Sequence, residues 1–76
     1  MNISGVLVRV YPEQITSVGE SLVAMQGVEV HGNSDDGRIV VTVEQDDANQ
    51  MSDVLTNMQT IPGVLAASMV YHQFED

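Results

Sequence analysis

Hydrophobic and polar residues alternate in four short stretches of the chain, and two stretches between them repeat at helical spacing. From Ile3 to Val10, Val6, Val8 and Val10 point one way, with Ser4, Leu7 and Arg9 mixed around them, which predicts a strand. Pro12 suits the first turn of a helix, where its missing N–H costs nothing, and Glu13 complements the positive helix end. Ile15, Val18, Leu22 and Met25 then follow at spacings of three, four and three. Gly19 weakens that helix by about 1 kcal/mol relative to alanine, and Gly27 is a natural left-handed stop. Val28-Glu29-Val30-His31 alternates as a short strand. Gly32 to Gly37 is a turn cluster whose Asp36-Gly37 dipeptide favours a hairpin. In the next strand, Arg38 to Glu44, Ile39, Val41 and Val43 share one face and Val40 and Thr42 the other. Asp46 or Asp47 can cap the second helix, Asp47 with Gln50 three residues on resembling a capping box, and Met51, Val54, Leu55 and Met58 form its stripe. Pro62-Gly63 ends the connection, Val64 to His72 reads as a long last strand, and residues 73–76 are expected to fray as an acidic tail.

The order is therefore βαββαβ, within a single domain spanning residues 1–76. A short internal repeat agrees with it: Leu22-x-x-Met25-Gln26 before Gly27-Val28 recurs as Leu55-x-x-Met58-Gln59 before Gly63-Val64, with three residues inserted. Two right-handed βαβ units folded together give a four-stranded antiparallel sheet with both helices on one face, the ferredoxin-like α+β sandwich. One face of such a sheet is left uncovered. Alternation assigns Val6, Val8, Val10, Ile39, Val41, Val43, Ala67, Met69 and Tyr71 to the helix side. The open face then receives Leu7, Arg9, Val40, Thr42, Ser68, Val70 and His72. Its edges are the second and fourth strands.

Composition narrows what such a face can meet. A chain of 76 residues buries roughly 60% of the surface it exposes unfolded, so the core is small. Without cysteine there are no disulfides, thiolate zinc sites, iron–sulfur clusters or cysteine nucleophiles. Eleven acids against two bases, Arg9 and Arg38, give a net charge of −9, a field that repels nucleic-acid phosphate and anionic lipid and favours a cationic partner. No apolar run approaches the ~20 residues that span a bilayer, and no secretory signal is visible.

The search for chemistry finds no catalytic constellation. His31 and His72 lie on different strands without metal-ligand spacing, so no metal is assigned. Asp35-Asp36 and Asp46-Asp47 fall in a turn and at a helix start, where caps and solvated charges are their expected use. No serine has a neighbouring base, and the glycines are dispersed at turns rather than gathered into a phosphate-cradling loop. Several hosts of this fold are excluded by residues: a copper carrier needs CxxC, an RNA reader needs sheet aromatics with basic charge, and an acylphosphatase-like enzyme needs an arginine loop. A binding module survives.

Three segments together resemble the NapD family. They are Ser4-Gly5-Val6-Leu7-Val8; Gly27 to Gly32 with Gly37 to Glu44; and Pro62 to Gln73, of which Val70-Tyr71-His72-Gln73 running into acids is the most specific piece. The resemblance implies a ferredoxin-like fold and a cytoplasmic, non-enzymatic chaperone without a cofactor. Proteins of this kind bind the twin-arginine signal peptide of NapA, the catalytic subunit of periplasmic nitrate reductase. They hold it from the Tat translocase while the molybdenum cofactor is inserted. Such a leader is basic in front and apolar behind, so it fits an acidic rim and an apolar floor. Leu7, Val40 and Val70 are candidates for the floor, with Thr42, Ser68 and His72 beside them; Glu44, Asp35, Asp36, Glu75 and Asp76 are candidates for the rim. Arg9 on the same face opposes a cationic peptide unless it packs along its stem or meets an acid. The peptide could lie as a helix across the sheet, the mode the resemblance favours, or add as a strand to an edge. A monomer is expected. The alternative reading is a regulatory module that binds a small ligand such as an amino acid, as other domains of this topology do.

Overall fold

The computed structural model describes residues 2–74, with Ala48 and Phe74 described by backbone alone. Four strands and two helices follow the expected order: β1 (Asn2–Val10), α1 (Ile15–Val23), β2 (Val28–Ser34), β3 (Arg38–Gln45), α2 (Ala48–Gln59) and β4 (Val64–Phe74). The sheet is antiparallel between neighbours, in the order β2-β3-β1-β4, so β2 and β4 are its edges. This is the ferredoxin-like α+β sandwich. Its core is a valine-rich layer, Val6, Val8 and Val10 from β1 and Ile39, Val41 and Val43 from β3, closed by Val18 and Leu22 of α1 and Met51 and Met58 of α2. β-Branched side chains suit both the strand backbone and the pleated inner surface.

The helix starts follow local chemistry. Pro12 opens a 3-10 turn over Pro12–Gln14 that leads into α1, and α1 ends at Val23, leaving Met25 to pack partly buried beyond it. At α2 the Asp47 Oδ1 accepts the Gln50 backbone N–H at 2.8 Å, satisfying one of the donors that a helix start leaves free. Between β2 and β3, Gly37 holds φ at +98° while its carbonyl accepts the Val10 backbone N–H at 2.8 Å. A Cβ there would strike the Val10 carbonyl, so the hairpin is tied to the end of β1 through a residue that has to be glycine.

β1 and β3 pair without interruption from Asn2↔Gln45 to Arg9↔Arg38. The edge strands instead carry irregularities: β2 between Val30 and Gly32, and β4 where its register against β1 jumps from Gly5↔Tyr71 to Val6↔Met69 and again from Arg9↔Ala66 to Val10↔Val64. His31, Val70 and Leu65 are the extra residues. A one-residue insertion reverses the faces of everything beyond it. This overturns two expectations. Tyr71, expected against the helices, pairs with Gly5 on the open face. His72, expected on the open face, pairs with buried Ser4 and sits beside Met51, Ser52 and Leu55 of α2. The strands also run longer than expected. β2 continues past its bulge to Ser34. β4 continues through Gln73 and Phe74, which pair with Ile3 and Asn2 instead of fraying, because β1 offers them backbone partners. Glu75 and Asp76 of the expected tail lie outside the described residues.

Candidate functional site: the open face of the sheet

Register places the open-face side chains in rows. Leu7 stands between Val40 on β3 and Ser68 on β4, and Gly5 between Thr42 and Tyr71. Arg9 stands beside Arg38, and Ile3 beside Glu44. The structure thus brings six expected residues, Leu7, Arg9, Val40, Thr42, Glu44 and Ser68, onto one surface. Val70 lies 61% exposed at the bulge of the β4 edge, and His72 is carried to the other side. Leu7 is half-buried while Val40 is 48% exposed, so the middle of the face is apolar and accessible. A shallow groove runs from this pair to the β2 edge, lined by Leu7, His31, Gly32, Asn33, Ser34, Arg38 and Val40.

Tyr71, His31 and Glu29 are among the residues of this surface that alternation did not assign to it. Tyr71 reaches it through the β4 bulge and lays its ring over Gly5, where a methyl group on the central strand would collide with it. An exposed edge aromatic that covers a glycine on its neighbour restores packing the glycine lacks. The isolated glycine inside β1 was the available signal, since a glycine within a strand often marks a close approach. His31 reaches the face through the β2 bulge, and its Nε2 shares a 2.7 Å hydrogen bond with Thr42 Oγ1. Glu29 pairs with Thr42 by register, and the alternation of Val28 and Val30 around it was a readable signal. His31 and His72 therefore face opposite sides of the sheet and cannot share a ligand.

Charge is unevenly distributed. Glu29, Glu44 and Asp46 line one cleft together with Gln26, Gln45 and Gln50, at the end of the sheet where α2 begins. There Gln45 Nε2 donates to the Gln26 carbonyl at 2.9 Å. At the β2–β3 turn, Arg38 Nε lies 3.3 Å from Asp36 Oδ2. The Ser34 hydroxyl, hydrogen-bonded to Asp36, and then the Arg38 charge hold the Asp36 carboxyl below its ordinary value. Asp36 is thus engaged with Arg38 rather than free to serve as rim. Asp35 is an exposed turn residue.

The arrangement has an apolar middle, hydrogen-bonding groups around it, carboxylates at one end and, at the other, the two arginines with Asp36 paired to Arg38. A surface of this kind can hold an extended or helical segment. Among the described residues no three His, Asp or Glu side chains converge as a metal site, and no helix is long and apolar enough to cross a membrane.

Comparison with known proteins agrees with this picture. The family model described as NapD protein matches residues 1–76. The chain is 31% identical over 75 residues to the chaperone NapD of Escherichia coli K12, covering 97% of this chain and 86% of the relative. Identity and coverage are the same for the chaperone NapD of Shigella flexneri. Among solved structures, the solution structure of the E. coli Tat proofreading chaperone protein NapD superposes with a TM-score of 0.87 at 31% identity, over 97% of this chain and 79% of that one. A crystal structure of a Thermus thermophilus protein, at TM-score 0.85 and 23% identity over 100% and 96% of the two chains, shares the fold. So does a Pyrococcus furiosus transcriptional regulatory protein of the AsnC family, at 0.80 and 16% over 99% and 52%. Sequence, fold and the uncovered sheet face converge on one assignment: the chain belongs to the NapD family.

Proposed function

We propose that this protein is a chaperone that binds the twin-arginine signal peptide of NapA in the cytoplasm and restrains its Tat export until the molybdenum cofactor is inserted. The observation that carries this reading is the uncovered sheet face, with Leu7 and Val40 accessible at its centre. The E. coli relatives, a chaperone and a Tat proofreading chaperone, support it. The protein acts by holding, without catalysing a reaction or carrying a cofactor, and it works as a monomer.

Leu7 and Val40 form the floor, Val70 extends it at the β4 edge, and Thr42 and Ser68 supply polar contacts. Tyr71 takes the open-face place expected for His72. Glu44, joined by Glu29, is the acidic rim. The −9 charge speeds and orients encounter more than it adds affinity. Exposed ion pairs contribute only about 0.2–1 kcal/mol each, whereas apolar burial contributes about 25 cal/mol per Å². Affinity therefore rests on the apolar stretch of the leader, laid as a helix across the sheet.

Titration of the protein with a NapA leader peptide tests this. Amide resonances of β1 and β3 should shift, replacing the two arginines of the peptide should weaken the complex, and Val40→Asp should abolish it while leaving thermal stability intact. Sheet resonances that stay still on titration would refute the reading. Undiminished binding by Val40→Asp would refute docking across the face and point to an edge strand.

A further inference from the structure

The open face has a direction. At one end stand Glu29 and Glu44; at the other, Arg9 and Arg38 are direct partners across β1 and β3. These two arginines are the only arginine or lysine residues in the whole chain, and the fold sets them side by side. Like charges opposite each other on neighbouring strands oppose pairing. Asp36 forms an ion pair with Arg38, and its charge also reaches Arg9, which makes no ion pair of its own among the described residues. From Arg38 to Glu44 along β3 the span is about 20 Å at ~3.3 Å per residue, and Val40 lies between them with Leu7 as its partner. Sheet formation gains nothing from this placement. A ligand that is charged at one end only would feel it.

We propose that the face reads the direction of the peptide it binds. The basic front of the leader lies over Glu29 and Glu44, its apolar stretch crosses Leu7 and Val40, and the chain leaves past Arg9 and Arg38 beside the β2–β3 turn. Arg9, which opposes a cationic peptide anywhere on the face, becomes the element that rejects reversed docking: the discrimination comes from repulsion at the wrong end as much as attraction at the right one. Two exposed ion pairs made in one direction and replaced by repulsion in the other amount to roughly a tenfold preference at low salt. The preference shrinks as ionic strength shortens the screening length. This inference rests on the open-face docking proposed above.

A synthetic twin-arginine leader carrying a nitroxide at its basic end or at its apolar end, bound to the isotopically labelled full chain, tests the direction. The basic-end label should broaden the amides of Glu29, Thr42 and Glu44, and the apolar-end label those of Arg9 and Arg38. In the charge-inverted variant Glu29→Lys, Glu44→Lys, Arg9→Glu, Arg38→Glu, with its fold checked by its amide spectrum, the pattern should exchange ends. The reverse pattern in the unaltered protein, or equal broadening of both ends by either label, would overturn the directional claim while leaving open-face docking in place. Broadening confined to residues off the sheet would overturn docking and direction together.

Discussion

The central pair of strands and the two edge strands follow different rules. β1 and β3 run in unbroken register, and their inward side chains from Asn2 to Val10 and from Ile39 to Val43 are buried. β2 carries one extra residue and β4 two, and the side chains near those bulges include Tyr71 and His31, which the open face acquires from the edges. The contrast shows that stability and recognition are laid down separately. The central strands supply the packed layer, where a register slip would turn the whole apolar set outward. The edges have one neighbour instead of two, so a bulge costs them fewer ladder bonds and can re-aim a side chain. A surface for a partner is thereby built without disturbing the core beneath it.

The contrast breaks most visibly within β3, where adjacent residues face opposite ways. Ile39→Ala should lower stability by about 2–5 kcal/mol in denaturant unfolding, because it opens a cavity in the fully buried layer. Val40→Ala, next to it but exposed, should change stability by less than about 0.5 kcal/mol. Comparable losses at the two positions would erase the division between the faces. A smaller effect is expected where the central strand meets the bulged edge. Gly5→Ala should cost about 1–3 kcal/mol by driving the Tyr71 ring off the sheet. Most of that cost should vanish in a Tyr71→Ala background, and the double-mutant cycle measures the coupling. An unaltered cost would mean that the backbone, and not the ring, resists the methyl group.

The smallest effect belongs to the β2–β3 turn. The Ser34 hydroxyl, with Arg38, holds the Asp36 carboxyl below its ordinary value of 3.8. The folded state therefore favours the ionised form. Its contribution is complete above that ordinary value and is lost as pH falls through the lower folded-state value. Because Asp36 is exposed, the effect is slight. Stability-versus-pH curves of the protein and of Asp36→Asn should run parallel at neutral pH and converge in acid. Curves that stay parallel below pH ~3 would show that the turn carboxylate does not contribute.

Much of this was legible in the residues. Val6, Val8 and Val10, and Ile39, Val41 and Val43, alternate cleanly, and all six lie in the core. Asp47 caps α2 as its spacing from Gln50 implied. Leu7, Val40 and Thr42 are on the open face for the same reason of alternation. Alternation failed beyond Val70, because nothing in Met69-Val70-Tyr71 marks one residue as extra; the bulge follows from how β4 meets β1. The end of β4 escapes local pattern for a related reason. Phe74 favours a strand but stands between Gln73 and two acids and so reads locally as part of a polar tail, whereas β1 begins at Asn2 and its backbone groups pair with Gln73 and Phe74.

By itself, the order of residues determined the six elements, the layer of valines they bury and the scarcity of positive charge, because hydrophobic periodicity, caps and composition are local properties of the chain. Only the tertiary structure decided that Tyr71 covers Gly5, that His72 lies against α2, and that Arg9 meets Arg38 at the end opposite Glu29 and Glu44. Those relations depend on strand register. Register is a contest between distant segments for the same hydrogen bonds, and no single segment contains its outcome.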